Sequence, residues 1–219
     1  MGVGQGVESL VRAVRRLGGD PHVRRLVEGR VAEFMEMNGR DSPAWFIELV
    51  YCLLTAYSSA ERAQFCVDAL DECGALIDGS VGEVAETLRR EGHRFADRRA
   101  EYIVAVRGLA GSIKEVIQGF GTSMEAREWL VENVKGLGWK ESSHFLRNVG
   151  YLDVAILDRH VLSNMREHGL IADDGGKGLA RRRYLEYEGL LRRAADRLGM
   201  PLGEMDLYLW YRKTGKVLK

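Results

Sequence analysis

The chain has 219 residues, of which 46% are hydrophobic, and its 32 basic and 32 acidic side chains cancel at pH 7. This length is enough to bury the core of one or two closely packed domains, and the composition is typical of a globular protein. No apolar run approaches the roughly 20 residues that a membrane span needs, which excludes a transmembrane helix.

The N-terminal residues, Met1 to Gly6, are rich in glycine. They lack a basic segment followed by an apolar one, so no signal peptide is predicted. We therefore expect an intracellular, cytoplasmic protein.

Helical patterns follow one another along the chain, and no segment shows the alternation of a β-strand. Ser42 and Pro43 predict the start of a long apolar helix, with serine at the cap and proline in the first turn. Capping boxes predict further helix starts at Ser58-x-x-Glu61, Ser80-x-x-Glu83 and Thr122-x-x-Glu125. We also expect helices at 94–109, 126–134, 141–149, 159–168, 178–198 and 204–212, with glycine-rich connections near 18, 108–111 and 175–178. The predicted fold class is all-α.

Three cysteines are present, Cys52, Cys66 and Cys73. They are too few to hold an iron–sulfur cluster of the four-cysteine kind. Their spacings of 14 and 7 residues on apolar helical patterns suit buried free thiols better than a zinc site. We expect no structural metal and no cofactor.

Basic residues are concentrated in three stretches, although the overall charge is zero. Such stretches are usually solvated helix faces, but together they could form a surface that binds the DNA backbone. The three stretches are Arg89, Arg90, His93, Arg94, Arg98 and Arg99; Arg181, Arg182 and Arg183; and Lys213, Lys216 and Lys219.

Gly136-Leu137-Gly138 lies between two predicted helices and is the most informative turn of the chain. Glycines allow positive φ, so a turn of this kind can present backbone N–H groups to a phosphate without reading sequence. Lys140 then falls in the first turn of the second helix. There the positive end of the helix dipole disfavours an ammonium ion and favours the amine as a nucleophile.

Asp158 follows Lys140 by 18 residues and precedes the helix predicted at 159–168. Its carboxylate is expected to cap that helix and to be held in a fixed orientation. Taken singly, the turn with its lysine and the capping aspartate have ordinary structural explanations, but their joint arrangement favours an active site. A helical histidine is more often a packed or capping residue than a catalyst, so we leave His144 and His160 off the catalytic list.

Residues 134–151 and 156–160 resemble the helix-hairpin-helix, Gly/Pro-Asp superfamily of DNA glycosylases, and within it the archaeal-type 8-oxoguanine DNA glycosylase/AP lyases. The similarity runs from about Val31 to the C-terminus and includes Leu53-Leu54-Thr55-Ala56 and Trp210-Tyr211-Arg212. The chain departs from the pattern before and after the aspartate. Many members have a proline a few residues earlier and a threonine directly after it, where this chain has Ala155 and Arg159.

The resemblance implies a single glycosylase unit over residues 1–219, built of two interleaved, closely packed helical subdomains with a DNA-binding cleft between them. The hairpin motif would span about 124–149. The implied function is base excision repair at the prokaryotic nucleoid by a monomer that acts on double-stranded DNA containing 8-oxoguanine. The enzyme would release the base through a lysine Schiff base and cleave the strand by β-elimination.

The resemblance also implies roles for individual residues. Lys140 and Asp158 would be catalytic, and Gly136, Leu137 and Gly138 would bind the DNA backbone. Phe95 and Trp210 would stack on the flipped base, although both could equally be ordinary core aromatics. Lys219 would contact the base, because it brings an ammonium and a carboxylate to one place.

Two other functions stay open on the sequence. A helix-hairpin-helix module without chemistry would use Lys140 only as a phosphate contact and would bind DNA in a salt-sensitive way. A glycosylase/AP lyase for a different oxidised base would form the same covalent adduct on another lesion. The missing cluster cysteines and the tail from Trp210 to Lys219 favour the purine lesion.

Overall fold

A computed structural model describes residues 2–172 and 178–219, and this part of the chain contains twelve α-helices. In chain order they are α1 (Val3–Gly18), α2 (Pro21–Gly39), α3 (Ser42–Thr55), α4 (Ala60–Glu72), α5 (Val81–Arg90), α6 (Ala96–Val106), α7 (Ile113–Gln118), α8 (Ser123–Asn133), α9 (Trp139–Asn148), α10 (Arg159–Glu167), α11 (Arg181–Leu198) and α12 (Leu202–Thr214). A short 3₁₀ helix, Arg107–Leu109, follows α6. The described residues contain no β-strand, which confirms the predicted all-α class.

The helices between residues 2 and 172 and between 178 and 219 include none that is long and apolar enough to cross a membrane. Of the glycine-rich connection predicted at 175–178, residues 175–177 lie outside the described residues.

The chain divides into two compact units. The first combines Met1–Met35 with Gly150–Lys219, and the second is the continuous segment Glu36–Val149. The chain passes from the first unit to the second inside α2.

In the first unit, α1 packs against α10, α11 and α12, and α10 packs against α12. Leu10, Val14 and Leu209 are fully buried in its core. Gly6 lies against the turn that follows α10, where a Cβ atom would come within 2.7 Å of the His168 carbonyl oxygen. The glycine-rich N-terminus is therefore helical from Val3 onward and is part of the packing.

In the second unit, α3 is the central helix and packs against α4, α6, α7 and α9. Eleven of its fourteen residues are buried, which explains why its sequence is apolar on nearly every side. Glu48 is one of the buried residues, and its Oε1 accepts a hydrogen bond of 2.6 Å from Asn148 Nδ2. This buried bond ties α3 to the end of α9.

Two predicted helix caps are each wrong by one residue. Asp41, not Ser42, caps α3 by accepting a hydrogen bond from the Ala44 N–H, while the Ser42 hydroxyl donates to Glu115. Ser59, not Ser58, caps α4. In both places two adjacent residues are good caps, and the packing of the helix selects between them.

The other two predicted caps are confirmed. Ser80 and Glu83 form the full capping box of α5, and Thr122 caps α8 by accepting from the Glu125 N–H. Two predicted helices are shorter than expected, since α6 covers only 96–106 and α11 begins at Arg181. The last helix is longer than predicted and runs from Leu202 to Thr214.

The cysteines divide between interior and surface. Cys52 and Cys66 are buried, as predicted, and burial raises the pKa of the Cys66 thiol to about 11, so it stays protonated at neutral pH. The prediction for Cys73 is wrong, because this residue is exposed at the C-terminal cap of α4.

Candidate active site

The hairpin between α8 and α9 packs against the ring of Tyr102. Gly136 has φ +100°, and a Cβ atom added there would lie 2.3 Å from Tyr102 Cδ2. Only glycine allows both this backbone conformation and this close approach. The predicted positive φ is therefore confirmed for Gly136.

Gly138 differs from Gly136 in its backbone and in its contacts. Its φ is −99°, so the expectation of positive φ is wrong for this glycine. Its N–H donates to Glu141 Oε2 at 3.3 Å, and the Leu137 N–H donates to the Val134 carbonyl at 3.1 Å. Two of the three hairpin amides thus already have acceptors within the protein, and a phosphate would have to displace them.

Lys140 is the second residue of α9, in the first turn as predicted. Its side chain is 27% exposed, and Nζ lies 4.0 Å from Glu141 Oε1. That separation is too long for a hydrogen bond, so the two groups attract each other through charge alone. The Lys140 side chain is therefore half-buried, with part of its surface open to solvent.

The two helices of the hairpin are joined by the fully buried guanidinium group of Arg127. Arg127 Nη1 donates to the Ser143 hydroxyl at 3.0 Å, and its Cζ lies 4.9 Å from the centre of the Trp139 ring. The Ser143 hydroxyl in turn donates to the Trp139 carbonyl. Trp139 directly precedes Lys140, so this cluster fixes the start of α9.

The segment before Asp158 is held by two side chains of α11. The Tyr184 hydroxyl donates to the Ala155 carbonyl at 2.7 Å and accepts from the Leu157 N–H at 3.2 Å. Glu188 Oε2 accepts from the Ala155 N–H at 2.9 Å. Ala155, which stands where many superfamily members have a proline, is thus fixed by hydrogen bonds. One of these bonds uses the Ala155 N–H, a group that proline lacks.

Asp158 caps α10, as predicted. Its Oδ1 accepts hydrogen bonds of 2.8 Å from the N–H groups of His160 and Val161. Its Oδ2 accepts a hydrogen bond of 3.1 Å from the indole N–H of Trp210 on α12. Within the first unit the structure therefore brings together two of the predicted site residues, Asp158 and Trp210.

His160 lies next to this pair. Its ring meets the Trp210 ring edge-on at 5.5 Å between centres, and its Nε2 accepts from Arg159 Nε at 3.1 Å. The histidine therefore packs against the tryptophan.

A hydrogen bond to His93 fixes the backbone of Phe95. The Nδ1 atom of His93 accepts from the Phe95 N–H at 3.3 Å, while its Nε2 lies 3.0 Å from the Leu54 carbonyl at the end of α3. Burial lowers the pKa of His93, which favours the neutral ring that these two bonds require. The Phe95 ring itself is 38% exposed and meets the ring of Tyr57 edge-on.

Only part of the predicted basic stretch from Arg89 to Arg99 lies on the protein surface. His93 and Arg99 are both buried, and Arg99 Nη2 donates to the Ala56 carbonyl. The other four side chains of the stretch, Arg89, Arg90, Arg94 and Arg98, are exposed. Lys219 is half-buried.

Over residues 2–172 and 178–219, no group of three His, Cys, Asp or Glu side chains is arranged to hold a metal ion.

Sequence reasoning missed the side chains that position the site: Tyr102 beneath Gly136, Tyr184 on the segment before Asp158, and His93 on Phe95. Tyr102 and Tyr184 act over separations of 26 or more residues along the chain, so no local pattern marks them. His93 was noted in the basic stretch, but a histidine among arginines predicts a charged, exposed side chain and not a neutral, buried ring.

Comparison with known proteins gives consistent matches. The family described as 8-oxoguanine DNA glycosylase matches residues 27–200. An 8-oxoguanine DNA glycosylase/AP lyase of Korarchaeum cryptofilum is 44% identical over 214 residues, which cover 98% of this chain and 100% of that protein.

Solved structures agree with the sequence matches. The crystal structure of the Methanocaldococcus jannaschii 8-oxoguanine glycosylase/lyase, in complex with a 15mer DNA containing 8-oxoguanine, has a TM-score of 0.89 at 41% identity and covers 96% of this chain and 100% of its own. The 8-oxoguanine DNA glycosylase of Thermotoga maritima has a TM-score of 0.86 at 43% identity, covering 97% of this chain and 100% of its own. These matches extend over nearly the whole chain.

Proposed function

The chain belongs to the helix-hairpin-helix family of 8-oxoguanine DNA glycosylases, and we infer that it removes 8-oxoguanine from DNA and then cleaves the strand as an AP lyase. The observation that carries this inference is identity above 40%, over almost the full length of both chains, to proteins named 8-oxoguanine DNA glycosylase/AP lyase. The matched range 27–200 includes the hairpin, Lys140 and Asp158.

In the proposed reaction, Lys140 Nζ attacks C1′ of the damaged nucleotide. The bond from C1′ to N9 breaks, and the base leaves with the electron pair and takes up a proton. The bond from C1′ to O4′ then opens, which leaves a Schiff base between Nζ and C1′. The 27% exposure of the Lys140 side chain supports this role, because the amine has to meet a nucleotide that arrives from solvent.

Strand cleavage follows from the same intermediate. The Schiff base acidifies the C2′ proton, and its removal expels the 3′ phosphate as the new 5′ end of the downstream strand. Water then hydrolyses the Schiff base and regenerates the Lys140 amine. Asp158 is proposed to stabilise the positive charge that develops on the sugar while the base departs, and to assist the proton transfers near Lys140 in both base release and strand cleavage.

Recognition of the lesion depends on one hydrogen atom. 8-Oxoguanine carries an N–H at N7, where guanine has an acceptor, so an acceptor aimed at N7 binds the lesion and repels guanine. A lysine side chain has only donors, so in our proposal a main-chain oxygen of Lys219 is the acceptor. Phe95 and Trp210 are the proposed stacking residues, supported by the exposed ring of Phe95 and the half-buried indole of Trp210.

The substrate is proposed to be double-stranded DNA inside the cell, bound by a monomer through the hairpin residues Gly136, Leu137 and Gly138. An enzyme that acts on a base within a duplex must flip the nucleotide out of the stack, which calls for stacking residues as well as a reactive amine.

The test is product analysis on a duplex with a single 8-oxoguanine, beside duplexes with guanine or an oxidised pyrimidine at the same position. We expect free 8-oxoguanine and a cut strand from the first duplex only. Release of the oxidised pyrimidine instead would favour a glycosylase for another lesion, and binding without products would favour a non-catalytic module.

A further inference from the structure

The carboxylate of Asp158 has one acceptor position for which residues 2–172 and 178–219 show no donor. Each carboxylate oxygen can accept about two hydrogen bonds. Oδ1 accepts from the N–H groups of His160 and Val161, and Oδ2 accepts from the indole N–H of Trp210. The remaining acceptor position is a lone pair of Oδ2. The direction of this lone pair depends on how the indole N–H orients the carboxylate.

The indole is held in place by the contact of α10 with α12. The buried amide of Asn164 donates to the His160 carbonyl at 2.8 Å and to the Leu209 carbonyl at 3.0 Å. Arg212 Nη1 donates to Asn164 Oδ1 at 2.7 Å. These bonds join the first turns of α10 to the residue that precedes Trp210, so the N–H of the indole meets Oδ2 in a fixed geometry.

We propose that Trp210 is a positioning residue for Asp158, in addition to any stacking on the base: its indole N–H orients Oδ2 so that the open acceptor position serves the deoxyribose. The proposal rests on the proposed function, in which Asp158 acts at the sugar. It assigns to Trp210 a part in strand cleavage, a step in which the base has already left.

A substrate that has no base distinguishes the two roles of Trp210, which are stacking on the base and positioning of Asp158. Stacking contributes nothing at a preformed abasic site, whereas the hydrogen bond to Asp158 is needed there as much as on the intact lesion. A hydrogen bond to a charged group is stronger than one between neutral groups, and its loss at Oδ2 corresponds to a rate change of about tenfold or more.

The experiment measures single-turnover cleavage of a duplex with one preformed abasic site, at saturating enzyme. Trp210→Phe keeps an aromatic ring and loses the N–H. We expect it to cleave about tenfold more slowly, with the half-saturating concentration and the melting temperature near those of the wild type. Trp129→Phe makes the same change at a half-buried tryptophan of α8 and is expected to cleave at the wild-type rate.

A double-mutant cycle distinguishes positioning from a general structural effect. If Trp210 acts through Asp158, Trp210→Phe adds no further loss to Asp158→Asn, because the carboxylate that the indole orients is already gone. Replacement of Trp210 by 3-benzothienylalanine, which has the shape of tryptophan without the N–H, is expected to reproduce the loss seen with phenylalanine.

Cleavage of abasic DNA by Trp210→Phe at the wild-type rate would overturn the proposal, and so would the same loss in both the wild-type and Asp158→Asn backgrounds. A wild-type protein that cleaves neither abasic nor 8-oxoguanine DNA would instead refute the proposed function, and this role with it.

Discussion

Gly136 is the residue on which the hairpin geometry depends most directly. Its positive φ excludes most side chains, and the Tyr102 ring occupies the space that a Cβ atom would need. Gly138, two residues later, has neither constraint, since its φ is negative and its Cβ would meet only the flexible carboxylate of Glu141 at 3.2 Å. The two glycines look equivalent in the sequence, but backbone conformation and close packing require a glycine only at Gly136.

We expect Gly136→Ala to lower the free energy of unfolding by about 2 kcal/mol, because the left-handed backbone costs roughly 1–2 kcal/mol for an L-residue and the contact with Tyr102 adds to it. Gly138→Ala is the matched control and should cost less than about 1 kcal/mol. Urea denaturation of both variants measures the difference. Equal losses would contradict the account of the hairpin.

Periodicity and capping rules located most of the helices from α3 onward. They placed Lys140 in the first turn of α9 and Asp158 at the cap of α10, and both placements are confirmed. The same rules misplaced the caps of α3 and α4, where adjacent residues such as Asp41 and Ser42 can each cap a helix.

The contacts that orient the site residues could not be predicted from the sequence. The bond from Trp210 to Asp158 spans 52 residues, and the bonds from Tyr184 to the segment before Asp158 span 27 and 29. Such pairs are set by helix packing, which a single sequence does not reveal. The resemblance named Trp210 as a stacking residue, but nothing in it indicates the indole N–H bond.

The contact between α10 and α12 includes an ionic cluster that depends on pH. Glu167 accepts hydrogen bonds from Lys213 and from Arg212, the latter at 2.7 Å. The hydrogen bond from Lys213, followed by that from Arg212, lowers the pKa of Glu167 to about 2. Since the folded-state pKa lies below the ordinary value, the carboxylate stabilises the fold above that value and the contribution is lost as pH falls toward 2.

Glu167→Gln is therefore expected to lower the melting temperature at pH 7 and to differ less from the wild type as pH falls from about 4.5 toward 2. The Glu167 side chain is 42% exposed, so solvent screening limits its contribution to about 1 kcal/mol. Thermal melts of both proteins between neutral and acidic pH measure the effect. A gap that is constant or that widens in acid would contradict this account of the cluster.

The zero net charge of the chain conceals an uneven distribution of charged residues between the two units. The first unit carries 19 basic and 14 acidic residues, whereas the second carries 13 basic and 18 acidic residues. The excess of positive charge in the first unit includes the Arg181–Arg183 stretch and the lysines at the end of the sequence. A neutral composition is therefore compatible with a partner as acidic as DNA.

Arg182 at the start of α11 is exposed, and we expect it to contact a phosphate. Arg182→Ala should then reduce the slope of log K against log salt concentration by about 0.9, because one fewer counterion is released on binding. Arg197→Ala removes an exposed arginine of the same helix that pairs with Glu8 at 3.1 Å, and it should leave the slope unchanged. Fluorescence anisotropy with a labelled duplex gives both slopes. Equal slopes for Arg182→Ala and the wild type would remove this stretch from the DNA surface.

We propose that Lys140 forms a Schiff base with the 8-oxoguanine nucleotide, and borohydride trapping on a duplex with a single 8-oxoguanine is the direct test. We expect a covalent adduct with the wild type and with Lys135→Gln, which changes a lysine on the other side of the hairpin. We expect none with a folded Lys140→Gln, and none on a guanine duplex. An adduct of undiminished yield with Lys140→Gln would contradict the claim.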